Sequence, residues 1–200
     1  TITGCSDESG DTDPFADPPA ATTSASTSAG ATPTAATGVP KQCDDVIAPT
    51  VVLDALGVAL DGTSSFVYAG PVPSSGRTGR ITCNFGVATG ADGKPAAKVA
   101  LTINGYQDAD TARSRLDTSI SNAQSQGQQV QALDLQGRPG YVVRDPVDIS
   151  YLLADGDRTV VVTMVLGLVP AEAEQIALTE IATAMVGAAP IVPSPSPTAS

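Results

Sequence analysis

Histidine and tryptophan are both absent from this 200-residue chain. Without His, the commonest general base and the commonest metal ligand are missing. Aromatic residues are 4% of the chain while hydrophobic residues are 42%, so a core has to be built from Val, Leu, Ile and Ala. Positive charge is scarce as well. Ten Lys and Arg stand against 21 Asp and Glu, for a net charge of −11. An acidic chain without a basic patch argues against nucleic-acid binding and against electrostatic docking onto anionic lipid. Solubility is the plain reading of that charge. No stretch reaches the ~18 apolar residues of a membrane span. No Gly-x-Ser-x-Gly elbow, P-loop, Ser-x-x-Lys or Cys-x-x-Cys motif occurs. The expectation is therefore no catalytic residue, no metal ligand set and no cofactor.

Large apolar side chains are also scarce at the two ends. Residues 1–40 hold five acids, no Lys or Arg, and runs such as SASTSAGATPTAATGVP. Residues 190–200 are rich in Pro and Ser. Such segments cannot bury enough surface to offset their ordering entropy, so both read as disordered tails. That leaves residues 41–189 for one compact domain with a real core.

The chain opens Thr1-Ile2-Thr3-Gly4-Cys5-Ser6 without a Met, so an upstream part is expected to have been cut away. Ile2-Thr3-Gly4-Cys5 resembles the lipobox of bacterial lipoproteins, a Leu-like residue and two small residues before a Cys. The resemblance implies cleavage before Cys5 and a diacylglycerol on its thiol. The membrane would then be a partner through the lipid anchor on Cys5. Residues 6–40 suit a tether, and a flexible coil of that length spans roughly 30–35 Å. A second lipid on the amino terminus is what would make such anchoring stable. With Cys5 consumed, Cys43 and Cys83 form an even pair, the arithmetic of an oxidising compartment. A Cys43–Cys83 disulfide is predicted, worth about 4 kcal/mol on the chain-entropy account.

Between the tails, periodicity sets out the elements. Pro49 opens a helix over 49–59, with Val52, Ala55, Leu56 and Ala59 on its stripe. Residues 64–69 read as a strand, 70–79 as a loop, 80–87 as a half-buried strand, and 98–103 as its hairpin partner. Asp108 or Asp110 caps a second helix carrying Ala112, Leu116, Ile120 and Ala123, ended by Gly127. Four strands follow at 129–135, 140–145, 148–154 and 158–167, the last nearly all apolar and so central. Asp155-Gly156-Asp157 signals a tight turn between the last two. Pro170 opens a third helix with Ala177, Leu178, Ile181, Ala184 and Met185 inward. Hairpin strands with helices between groups give an α+β fold, an antiparallel sheet of six to seven strands packed by three helices.

The sequence Gly79-Arg80-Ile81-Thr82-Cys83-Asn84-Phe85, an earlier Cys43 beside the first helix, and Gly137-Arg138-Pro139-Gly140 before a strand carry a second resemblance. The arrangement resembles the small two-cysteine ectodomains of actinobacterial, mycobacterial-type envelope lipoproteins, whose function is unknown, including the LpqN-like, PsbP-like members. Here the glycine lies one place further out, and Phe85 stands where Trp is usual. The resemblance implies an extracytoplasmic place in the cell envelope and carries over no catalytic residue.

Close acidic pairs occur at Asp108 and Asp110, Asp145 and Asp148, and Asp155 and Asp157. They could serve as a glycosidase pair or a calcium site, but read first as a helix cap and two turns. Arg138-Pro139 sits where an anionic ligand could be met, and reads first as a plain loop. Tyr68, Tyr106, Tyr141 and Tyr151 could line a groove, although strand tyrosines usually pack. Three functions are weighed. The first is a non-enzymatic lipoprotein binding an envelope protein or glycolipid through a groove or apolar patch on the sheet's open face. The second is an envelope hydrolase with paired carboxylates. The third is an accessory subunit of a membrane complex with a flat interface.

Overall fold

A computed structural model of the chain describes residues 38–90 and 93–187. Cys5, most of the expected tether and the C-terminal tail lie outside the described residues. The elements are α1 (Pro49–Leu56), β1 (Thr63–Ala69), β2 (Arg77–Thr89), β3 (Pro95–Ala96), β4 (Val99–Tyr106), α2 (Ala109–Ser125), β5 (Gln129–Ala132), β6 (Gly140–Arg144), β7 (Asp148–Asp155), β8 (Arg158–Val165) and α3 (Ala171–Gly187). Single 3-10 turns add Cys43–Asp45 and Pro73–Ser75. The strands run β1-β2-β4-β8-β7-β6-β5 across the sheet, and β3 pairs with the end of β2. Every pairing is antiparallel. This is the α+β fold the sequence predicts.

The helices cover both faces. Val160, Val162 and Met164 of β8 meet Leu178, Ile181 and Met185 of α3 and Val52 and Leu56 of α1 in one core. The alternate residues Val161, Leu152 and Val143 meet Leu116, Ile120 and Ala123 of α2 in another. Burial from two sides explains why β8 is apolar at successive positions rather than alternating. It is the fourth of seven strands, the central place its composition predicts. α2 lies over β4 to β5 and leaves β1 and β2 bare on its side. The bare face carries Ser65, Val67, Arg80, Thr82 and Asn84, with Thr82 and Thr102 hydroxyls 3.0 Å apart. The open part of the sheet is thus mainly polar, where the first functional reading expects a groove or apolar patch.

Several boundaries differ from expectation, and four of the differences have a visible local reason. α1 stops at Leu56 because Gly57 turns left-handed (φ 65°) and its N–H caps the Leu53 carbonyl. β2 starts at Arg77, inside the expected loop, because Val72 and Arg77 exchange both backbone hydrogen bonds around the Pro73–Ser75 turn. β5 ends at Ala132 because Leu135 and Arg138 close a two-residue turn of their own, with Gln136 and Gly137 both at positive φ (52° and 79°). Val39, assigned to the tether, is buried in the core. It fits there because a Cβ on Gly105 would sit 2.6 Å from its Cγ2, space that glycine leaves open. In α3, Ala182 takes a fully buried place and Ala184 is only half-buried.

Candidate functional site

Cys43 and Cys83 are joined in a disulfide with Cα atoms 5.7 Å apart, closing 40 residues of chain. Cys83 is buried on β2 between Phe66 of β1 and Leu101 of β4. The bond therefore ties the segment leading into α1 to an interior strand. Cys5, the lipidation candidate, is outside the described residues.

Each acidic pair has a structural occupation. Asp108 is the N-cap of α2, its Oδ1 accepting the Thr111 N–H at 2.7 Å, and that bond holds its carboxyl below the usual range. Asp110 faces Arg113 at 3.3 Å on the surface. Asp145 Oδ1 accepts the N–H groups of Val147 and Asp148 at 2.7 and 2.8 Å, shaping the β6–β7 turn. Burial first, and then the charge of Asp145, push the Asp148 carboxyl upward. The recess beside them, bounded by Ser119, Gln128 and Ser150, has a volume of about 40 Å³, room for a few waters and no substrate. Asp155 is held from both sides, by Arg138 Nε at 2.8 Å and Arg158 at 3.1 Å. Among the described residues, no group of three or more Cys, Asp or Glu could hold a metal ion.

A larger cleft of about 390 Å³ opens between α2 and two hairpin turns. Its floor is apolar, made by Leu116, Tyr141 and Ala154. Arg113 and Asp117 stand on the helix side. Gly137, Arg138, Pro139, Asp155 and Gly156 form the turn side. The volume lies in the range of small-ligand sites, about 300–1,000 Å³. Its charges are mixed, with Arg138 committed to Asp155 and Arg113 to Asp110. Such a rim offers hydrogen-bond donors and acceptors in equal supply. It suits a neutral polyhydroxyl group better than a bare anion, and the Tyr141 ring supplies an apolar face.

Of the four tyrosines, only Tyr141 lines this cleft. Tyr68 is exposed on β1, Tyr106 is buried at the end of β4, and Tyr151 lies in the core on the opposite sheet face. Tyr151 nevertheless shapes the cleft from behind. Its hydroxyl donates to the Leu133 carbonyl at 2.9 Å, and Leu133 N–H donates to Gly140 O. Burial, and then Asp134, push its phenol up to about 12, so it stays a donor. The ring end lies directly on Gly140, where an added Cβ would be 2.3 Å from the hydroxyl oxygen. The hairpin presenting Arg138 is locked to β7 in this way. Sequence reasoning found Arg138 and the glycine frame, but missed that Gly140 makes room for Tyr151.

It also missed Glu174. An acid is favoured in the first turn of α3 by the helix dipole, and this side chain is in addition buried and paired with Arg144, with Gly167 N–H donating to Oε1 at 3.1 Å. Burial alone would raise its carboxyl. The Arg144 hydrogen bond, the Gly167 N–H and the Arg144 charge together outweigh that and hold it below the usual value. The contact fastens α3 to the end of β6, on the sheet face away from the cleft.

No protein-family model matches the chain, and no curated protein matches it. One solved structure it is similar to is the extracellular domain of PknH from Mycobacterium tuberculosis. The identity is 12% and the TM-score 0.39, covering 71% of this chain and 93% of that one. No helix among the described residues is long and apolar enough to cross a membrane.

Proposed function

We propose that the chain is a lipid-anchored, extracytoplasmic binding protein whose cleft between α2 and the 137–139 and 155–156 turns takes the sugar head of an envelope glycolipid. The observation that carries the location is the closure of Cys43 on Cys83. It is the bonding of an oxidising compartment, and it leaves Cys5 as the one cysteine free to carry lipid, in the setting that resembles a lipobox. The ligand class rests on the cleft. An apolar floor bearing a tyrosine, ringed by paired Arg and Asp side chains, matches a sugar's apolar face and hydroxyl edge. The role is non-enzymatic. Asp108, Asp145 and Asp155 are each spent on backbone or arginine partners, which speaks against the paired-carboxylate hydrolase.

Native mass spectrometry of the protein purified from its own envelope tests this reading. A glycolipid adduct is expected on the wild-type chain and is expected to fall sharply in Tyr141→Ala and Arg138→Ala. An adduct that survives both changes would place the ligand elsewhere. A co-purifying protein with no lipid would favour the accessory-subunit reading instead.

A further inference from the structure

One edge of the sheet is left without the usual protection. Every residue from Thr63 to Tyr68 in β1 is exposed, although the strand is paired with β2 along one side. Phe66 is 52%, Val67 61% and Tyr68 41% exposed. Edge strands normally carry a Lys, a Pro or an inward charge that stops a second chain from pairing. β1 reads Thr-Ser-Ser-Phe-Val-Tyr-Ala and has none of these. Its irregular register with β2 is confined to the start, between Thr63 and Ser65. The opposite edge, β5, is only four residues long and is led by Gln129.

We propose that β1 is a self-association strand, pairing antiparallel with β1 of a second copy about a two-fold axis at Phe66. Two observations choose a second copy as the occupant. First, residues 62–76 contain no charged side chain, in a chain whose net charge is −11. This is a stretch where two such acidic chains can meet without opposing like charges. Second, an antiparallel register centred on Phe66 brings the two Phe66 side chains face to face. With Phe66 facing Phe66, Ser65 meets Val67, Ser64 meets Tyr68 and Thr63 meets Ala69. Phe66 and Tyr68 share the face that lies opposite Cys83 and Ile81 on β2, so the aromatic side chains of both copies gather on one side of the joined sheet. Aromatic and β-branched cross-strand pairs are the contacts that stabilise sheets. An isologous two-fold contact of this kind closes on itself and does not grow into a fibre.

The contact is small. Aromatic side chains present about 150–250 Å² each, so two half-exposed rings and one valine per copy fall well short of the roughly 1,200 Å² of a stable standard interface. A reversible dimer follows, visible in a concentration series.

Sedimentation equilibrium of the full chain, with Cys5→Ser to keep it free of lipid, reads this directly. Hydrogen exchange of residues 63–69 is followed in the same samples. The average mass is expected to rise with concentration from 20.0 kDa towards twice that value. Exchange of 63–69 is expected to slow in parallel. Val67→Lys, at the most exposed of the strand's large apolar side chains, is expected to hold the mass at 20.0 kDa throughout. Ser65→Lys on the same face serves if that variant does not fold. A chain that stays monomeric at every concentration overturns the proposal. So does a dimer that survives both lysine changes. Protection of 63–69 that ignores concentration but vanishes on deleting residues 1–37 also overturns it, since the chain's own N-terminal segment would then hold the edge.

Discussion

Replacing Gly140 with Ala should destabilise the domain far more than one methyl group on a strand ordinarily does. The added Cβ would lie 2.3 Å from the Tyr151 hydroxyl oxygen, 2.7 Å from Cζ and 3.0 Å from the Leu133 carbonyl. Tyr151 has no exposed surface and cannot swing away without moving its neighbours. Overpacking of this kind costs about 1–3 kcal/mol, and a displaced phenol also loses its buried hydrogen bond to Leu133, about 1 kcal/mol more. The expected total is about 2–4 kcal/mol, against a stability of roughly 5–15 kcal/mol for a typical domain. Urea denaturation followed by far-ultraviolet circular dichroism measures it, because the chain has no Trp to report by fluorescence. The contact predicts coupling too. Tyr151→Phe alone costs about 1–2 kcal/mol by leaving the Leu133 carbonyl without its donor. It also removes the atom nearest the new Cβ. The double variant should therefore be less damaged than the sum of the singles, by about 1 kcal/mol. A Gly140→Ala protein as stable as wild type, or strictly additive costs, would refute the packing described for Tyr151.

Three further outcomes follow from the same structure. Cys43→Ser with Cys83→Ser frees a 40-residue loop and should cost about 4 kcal/mol, read from the same denaturation curves. Glu174→Gln should cost about 1–2 kcal/mol at neutral pH, a figure reduced because Arg144 is partly exposed. The Glu174 carboxyl titrates lower folded than unfolded, so its contribution is complete above about pH 4.5 and is lost as the pH falls through the folded value. Thermal melts across that range should show a flatter acid limb in the variant. Asp148→Asn should raise the melting temperature at pH 7, because the folded state holds that carboxyl above its ordinary value and its ionised form costs stability there. The gain should vanish once the pH is below 3.8, where Asp148 is protonated folded or unfolded.

The fold was legible where burial imposes a periodic pattern. The stripe of α2 and the apolar run of β8 mark which faces are covered, and Asp108 marks the helix start by its cap. Boundaries were less legible because pairings across turns decide them. The Val72–Arg77 and Leu135–Arg138 bridges lengthen β2 and shorten β5, and neither leaves a periodic signature. The cleft was legible only in part. Arg138 stands out in its glycine frame, but its wall partners Arg113 and Asp117 come from a helix over twenty residues earlier. The burial of Glu174 leaves no sequence signal, because an acid is favoured in any first helical turn and its partner Arg144 is brought to it by the sheet. The exposure of β1 had no sequence signal at all, since Phe66, Val67 and Tyr68 look like core residues.

The proposal places an extracytoplasmic domain at a membrane through a lipid on Cys5. Its most direct test is peptide mass spectrometry of the protein isolated from the membrane of a bacterium that exports it. The most N-terminal peptide is expected to begin at Cys5 and to carry the mass of a thioether-linked diacylglycerol, while Cys43 and Cys83 are recovered as one disulfide-linked pair. A peptide that reads through Thr1 to Ser6 with an unmodified Cys5 would contradict it.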